Sequence, residues 1–597
     1  QSARMGTGTG DAWMSGTSHA LAHVSGAAAL AKQAHPGWGA IEIKALLLNT
    51  ANPMLHKNGT VYPESLAGAG FLDVAQAVNT TVTAQAEDSE GLTTLSLGSL
   101  ALAKPWEETR QIRVTNHGDS EVKFDLSVEE TVTENGFDIG LPVNKITIAP
   151  KSHELVPVRF HADPAQFDRT GDPLTPSLLN DRARSWVYEV SGKIVLTNDA
   201  EKLRVPYHAL VRAAAARKTT VTRIALPAWN LVSLELPLEG GSAHPRPLVS
   251  VFELAGVSAR NNLLTDPADI AADVLAFGVA SDYPQAGSVA ETTLYFGIAN
   301  AGPWTNPHSF LYDPHLQIDT DFDGRIDYEL ASCSNGGLLK GNLSVSTYAD
   351  DVFLSILIRV PRWERGIADA GYLNVFPPDE YDTVPFNNSV MVLPVPARML
   401  GLDEDKTDFN FRLLTLGAEQ YGYPEIDRTQ LIHYDVTQPV VHSALGIGGT
   451  VMHDGNKPIK VTIDRGLAKR EGRRPAVLLL HHMNTGDHKF DIVELALDAD
   501  DADGDGASDD DELAAGTDPD DPASLFAILP VSRQTALGPE IRWRSVAGKS
   551  YRVQRATALG LAFETLSGPL PATPPVNVFI DKTAPKEGEL FYRILKP

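Results

Sequence analysis

The sequence predicts a mixed fold: a short helical segment at the amino end, then several antiparallel β-sandwich domains. Three observations predict it. Small and apolar residues run from Ala20 to Ala31, with Gly16 before them and Pro36 after them. Beyond residue 84 the pattern changes to strict alternation, as in Val122-Lys123-Phe124-Asp125-Leu126-Ser127-Val128. At 597 residues and 43% hydrophobic, the chain has room for about four domains with large cores.

The amino-terminal run carries the chemistry. Gly16 allows a tight turn before the helix. Thr17 and Ser18 suit a helix start, because their hydroxyls can satisfy orphan N–H groups. Beyond them Ala20, Leu21, Val24, Gly26, Ala27 to Ala29, Leu30 and Ala31 are apolar on nearly every side, which predicts a buried helix. Ser18 then sits at the positive end of the helix dipole, among N–H groups able to hold an oxyanion. His35-Pro36 ends the helix. A tight Gly-Ala helix with a merely capping serine is the alternative reading of the same spacing.

The wider segment resembles the serine region of the subtilases, the subtilisin-like serine peptidases. Their pattern is Gly-Thr-Ser-Met-Ala-x-Pro-His-Val-Ala/Ser-Gly. Gly16, Thr17, Ser18, Ala20, His23, Val24, Ser25 and Gly26 match it. The resemblance covers roughly residues 1–84, from the glycine-rich Met5 to Gly10, through Trp38, Ile43-Lys44 and Asn49-Thr50-Ala51, to Gly68-Ala69-Gly70-Phe71-Leu72-Asp73 and Ala77-Val78-Asn79. It implies the helical remnant of an α/β subtilase domain, with Ser18 as the catalytic nucleophile. His19 stands where the family has Met, and Ala22 where it has Pro. His19 is larger and polar, so it is expected to alter packing beside the serine.

Subtilases carry their triad in the order Asp, His, Ser. The resemblance therefore places the triad Asp and His, and the oxyanion-hole Asn, upstream of Ser18, before which this chain has 17 residues. A serine without its base is a weak nucleophile, so the expectation is a truncated endopeptidase, inactive as an isolated chain. His481-His482 follows the apolar run Val477 to Leu480 and reads as polar residues at a strand end, not as a relocated base.

Lys and Arg number 50 against 76 Asp and Glu, a net charge of −26 that argues against nucleic acid and anionic membranes as partners. Cys333 is the only cysteine, so no intramolecular disulfide and no thiolate metal site can form. No apolar run is long enough to span a bilayer. The balance fits a bacterial-type secreted protein, extracellular or at the cell surface.

The expected domains are 1–84, the C-terminal piece of a subtilase catalytic domain; 85–216, a sandwich resembling the fibronectin-III-like domain of cell-envelope subtilases; 217–395, a sandwich with an acidic loop; 396–497, a further sandwich; 498–524, a calcium-binding acidic linker; and 525–597, a small β domain. Within 85–216, Ile112 to Thr115, the turn Asn116 to Ser120, and Val122 to Val128 read as an antiparallel hairpin.

Two acidic loops have calcium spacing. Asp501, Asp503, Asp505, Asp509 and Glu512 occupy positions 1, 3, 5, 9 and 12 of an EF-hand-like loop, with Gly506 at position 6. The following Gly516-Thr517-Asp518-Pro519 resembles thrombospondin type 3 and dockerin-like repeats. Asp319, Asp321, Asp323 and Asp327 repeat the start of this spacing with Gly324, but position 12 is Leu330. Structural Ca²⁺ is expected at both; a solvated acidic linker and a polar hairpin turn are the respective alternatives.

Two functions stay open. One is a subtilisin-type serine endopeptidase acting on polypeptide substrates, with β domains that position substrate or contact the cell surface or wall. The other is a calcium-stabilised cell-surface adhesion or scaffold protein with a degenerate protease remnant.

Overall fold

The computed structural model describes residues 2–4, 6–13, 15–87, 91–168, 170–176, 178–179, 182–183, 188–227, 229–244, 247–307, 312–334, 353–360, 367–373, 386–417, 422, 424–443, 450–452, 458–486, 488–497, 512, 515–518, 521, 524, 526–529, 534–535, 537–557, 563–585 and 590–595. They form two units. The first is Gln1–Thr222, Leu234–Thr462 and Ala476–Val493; the second is Arg223–Ser233, Ile463–Pro475 and Glu494–Pro597.

After a short antiparallel pair, Ser2–Ala3 with Asp11–Ala12, the first unit has helices α1 (Thr17–Ala34), α2 (Ala40–Asn49), α3 (Glu64–Ala67) and α4 (Val74–Asn79). Pro36 fixes the end of α1: the helix stops at Ala34, and the His35 N–H makes the last bond, to the Ala31 carbonyl. Asp73 caps α4 by accepting the Gln76 N–H at 2.9 Å. Ala27, Ala31, Ile43, Leu46, Leu47 and Ala77 form the small core between these helices.

The expected burial of α1 is not met. Only Ala27 and Ala31 are buried, while Leu21, Leu30 and Val24 are 65%, 50% and 43% exposed. An apolar-all-round helix needs partners on every side, and the described residues supply them along one stripe only.

Next come β1 (Val82–Ala86), β2 (Leu95–Leu102), β3 (Trp106–Asn116), β4 (Val122–Val132), β5 (Phe137–Gly140), β6 (Lys145–Ile148), β7 (Ser152–Ala162), β8 (Glu189–Thr197) and β9 (Lys202–Ala213). They form two sheets, in orders β1-β3-β7-β5 and β2-β9-β8-β4-β6. Phe124, Phe160, Ile194, Val205 and Tyr207 lie in the core they share. The alternation read in β4 holds, with Phe124 and Leu126 buried and Lys123, Asp125 and Ser127 exposed.

The expected β3–β4 hairpin does not form. β3 pairs with β1 and β7, whereas β4 pairs with β8 and β6 in the other sheet. The turn between them is a corner organised by Asn116, which is fully buried. Its Nδ2 donates to the carbonyls of Ser120, Ile148 and Ala149, and its Oδ1 accepts the Gly118 N–H. The helical segment is tied to this sandwich through Asn49, whose Nδ2 donates to the Arg204 carbonyl while its Oδ1 accepts the Ala84 N–H.

The rest of the first unit holds β10 (Leu248–Val257), β11 (Val274–Ser281), β12 (Thr293–Trp304), β13 (Asp313–Asp319), β14 (Tyr328–Ser334), β15 (Phe353–Arg359), β16 (Ile367–Tyr372), β17 (Asn388–Pro396), β18 (Asp408–Leu416), β19 (Glu425–Arg428), β20 (Ile432–Asp435) and β21 (Ala476–His481). One sheet contains β21-β10-β11-β12-β17 in that order. The other runs β16-β15-β14-β13-β18-β19, with β20 also on β18. Phe296, Phe409 and Phe411 interlock in the core, with ring centroids 5.2–6.4 Å apart. Strands on either side of residue 396 pair with each other: β13 with β18, and β10 with β21. The expected division at 396 therefore does not separate sheets.

In the second unit, strands Gly538–Arg544, Ser550–Ala556, Val576–Ile580 and Phe591–Leu595 surround a core of Ile541, Trp543, Tyr551 and Val553.

Candidate active site

Ser18 lies in the first turn of α1, second after the cap Gly16. Gly16 has φ 153° and ψ 154°, a conformation strained for any residue with a Cβ. The N–H groups of His19 and Ala20 bond the Gly16 carbonyl at 3.1 and 3.2 Å. The Ser18 N–H precedes them and has no acceptor within the helix. The expected hydroxyl capping is absent: among the described residues no side chain caps α1, because Gly16 holds the cap position and places Thr17 and Ser18 inside the helix. Ser18 is exposed. The departing residue His19 is half-buried, with its ring beside Gly16.

An open apolar groove of about 540 Å³ lies along α1 and α2, lined by Val24, Ala28, Trp38, Ile43, Leu47 and Leu48 among others. Trp38 in its lining is part of a stack. Trp38 lies 4.1 Å from the rings of both His35 and His117. Burial holds His117 below its ordinary pKa, against an opposing pull from Glu42.

The Asp319 loop is partly assembled. Asp319, Asp321 and Asp327 each place one carboxylate oxygen within 4.8 Å of the others. Asp323 is not in that group; its Oδ1 accepts the Arg325 N–H at 2.7 Å. The loop is shaped by its own carboxylates. Asp319 accepts the N–H groups of Phe322 and Gly324, and Asp327 those of Thr320 and its hydroxyl. Phe322 and Gly324 hold positive φ angles of 61° and 82°. Of the second loop, Asp501, Asp503, Asp505 and Asp509 lie outside the described residues. Glu512 is described and is 1% exposed.

His482 is fully buried and within 2.7 Å of the Ser250 hydroxyl, and burial pushes its pKa down to about 3. It is a core residue. His481 differs: its Nε2 lies 2.8 Å from Asp491, which also holds His488. Sequence reading missed His488 and Asp491. The signal was the spacing of His481, His488 and Asp491 across two apolar runs, which needs a chain reversal to become a cluster.

Residues 7–82 match the model of the Subtilase family. Over 63 residues the chain is 43% identical to Minor extracellular protease Vpr of Bacillus subtilis (strain 168), covering 11% of this chain and 8% of that protein. Over 74 residues it is 39% identical to Subtilisin-like protease SBT1.6 of Arabidopsis thaliana, covering 11% of this chain and 10% of the relative. Over 194 residues it is 30% identical to Subtilisin-like protease SBT4.3 of Arabidopsis thaliana, covering 30% of this chain and 25% of the relative. The chain thus spans a quarter or less of the length of each of these relatives.

Proposed function

We propose, from the subtilase-related region at residues 7–82, that residues 1–84 are the C-terminal piece of a subtilisin-type endopeptidase domain. Ser18 would be its nucleophile. The observation that carries this reading is the exposed serine at the mouth of an 18-residue helix whose apolar side is uncovered. In the working enzyme the Ser18 hydroxyl attacks the scissile carbonyl of a polypeptide. The Ser18 N–H, with a second donor, holds the resulting oxyanion.

The base, its orienting carboxylate and the second oxyanion donor belong, in this reading, to an upstream segment seated on the groove of α1 and α2. A serine hydroxyl without a base stays protonated and unreactive, so attack depends on that base. Among the described residues no helix is long and apolar enough to cross a membrane. Secretion is supported by the Bacillus relative, named as extracellular. The Asp319, Asp321 and Asp327 oxygens suit a hard cation such as Ca²⁺, with a structural role. Asp501, Asp503, Asp505, Asp509 and Glu512 form a second proposed calcium loop on spacing alone.

The test is fluorophosphonate labelling. A longer polypeptide carrying the upstream segment should label at Ser18 and lose the label in Ser18→Ala. Absence of labelling in the longer polypeptide would remove the peptidase reading and favour the surface scaffold, for which the polar His19 beside the Ser18 turn is the specific pointer.

A further inference from the structure

Far from Ser18 in sequence, the end of β21 and the start of strand Phe490–Ala496 gather three metal-ligating side chains. His481 Nε2 lies 2.8 Å from Asp491 Oδ2, and His488 Nε2 lies 2.9 Å from Asp491 Oδ1. One ligand atom of each residue lies within 4.8 Å of the others. The His481 and Asp491 side chains are 1% and 10% exposed, and His488 is 49% exposed.

We propose that His481, His488 and Asp491 form a structural site for a divalent transition metal of the zinc class. Two imidazoles and one carboxylate suit zinc and its neighbours, whereas calcium and magnesium require mainly oxygen ligands. Tetrahedral zinc bonds of about 2.0–2.2 Å separate neighbouring ligand atoms by roughly 3.3–3.6 Å. The observed 2.8 and 2.9 Å contacts, to the two oxygens of Asp491, must open by about half an ångström or more for the ion to seat, and all three ligand atoms already lie within 4.8 Å of one another. The exposed edge of His488 gives the ion and a completing water a way in.

The ligands rest on main-chain hydrogen bonds, so little ordering is needed on binding. Asp491 Oδ2 accepts the Thr219 N–H at 2.8 Å, and the His481 N–H bonds the Lys489 carbonyl at 2.8 Å. Asn484, between the ligands, accepts the Arg217 N–H and donates to the carbonyls of Arg217 and His488. The Lys489 ammonium is held on the Asn484 carbonyl. A bound ion would therefore fasten the 481–491 turn to segment 215–219. Among the described residues, the buried His481 Nδ1 has no hydrogen-bond partner. Nothing here depends on the peptidase reading.

The test uses the whole chain, stripped with EDTA and titrated with ZnCl₂ and, separately, CoCl₂. Calorimetry, melting temperature and cobalt visible absorption are the readouts. The wild type should bind one zinc with a rise in melting temperature. His488→Ala, at an exposed position, should keep the metal-free melting temperature and bind zinc at least tenfold more weakly, and His488→Gln should repeat this. Asp327→Asn, in the separate acidic loop, should bind zinc as the wild type does. Zinc binding and melting shift unchanged in His488→Ala, or no zinc-dependent shift in the wild type, would overturn the proposal.

Discussion

The Lys193 ammonium of β8 is buried against the Glu64 carboxylate of α3, with both side chains only 4% exposed. The Thr131 hydroxyl of β4 donates to the same Glu64 oxygen at 3.2 Å. One ion pair thus joins the helical segment to the sandwich. Removing one member leaves the other charged in a dry site. Lys193→Met should cost about 3–5 kcal/mol. The double variant Glu64→Gln with Lys193→Met should recover much of that loss, because no uncompensated charge remains. Urea unfolding of the three proteins checks this; equal losses in single and double variants would contradict it.

Gly70 has φ 124°, and a Cβ there would lie 2.1 Å from the Asn52 carbonyl oxygen. The same carbonyl accepts the Phe71 N–H at 2.6 Å, so the backbone cannot retreat without losing that bond. Gly70→Ala should destabilise the chain by about 3 kcal/mol. A melting temperature equal to that of the wild type would contradict it.

His117 should make stability pH-dependent. Burial lowers its folded pKa, His35 and Lys151 act in the same direction, and Glu42 opposes them. Its Nε2 is also 3.0 Å from the Thr83 hydroxyl. Since the unfolded chain takes up this proton first, the contribution is present above the unfolded value of about 6.5 and lost as pH falls through the lower folded value. The melting temperature should drop between about pH 7.5 and 5.5, and less so in His117→Gln. Parallel profiles for the two proteins would rule out the assignment.

Calcium removal should weaken the sheet that contains β13 and β14, which the Asp319 loop joins. EGTA is expected to lower the melting temperature, millimolar CaCl₂ to restore it, and Asp327→Asn to shrink the response. If Asp327→Asn and the wild type respond alike, the Asp319 loop is not the source of the shift.

Local rules were readable in the sequence. The stop of α1 before Pro36 follows from proline's effect on its neighbour, and the alternation in β4 follows from burying one face. Non-local pairing was not readable. The residues from Asn116 to Ser120 suit a hairpin turn and a sheet-to-sheet corner equally well. What decides is the Asn116 amide reaching Ile148 and Ala149, about thirty residues on. Pairing of β13 with β18 across residue 396 is equally invisible to a composition shift. The apolar content of α1 was legible, but not which of its sides has a partner. For the acidic loop, spacing located the carboxylates, but the turn sends Asp323 to the Arg325 N–H instead of to the others.

β1 starts at Val82, the residue at which the family match ends, and runs in register with β3 from Val82 opposite Asn116 to Ala86 opposite Ile112. The two modules are spliced without a joint. Exchange of β domains between relatives by recombination at residue 84 would split an edge strand and strand Asn49 without the Ala84 N–H it accepts. Viable shuffling must cut before Thr81 and carry a compatible asparagine on the helical side, so the peptidase-like piece and its sandwich are expected to be inherited as a pair.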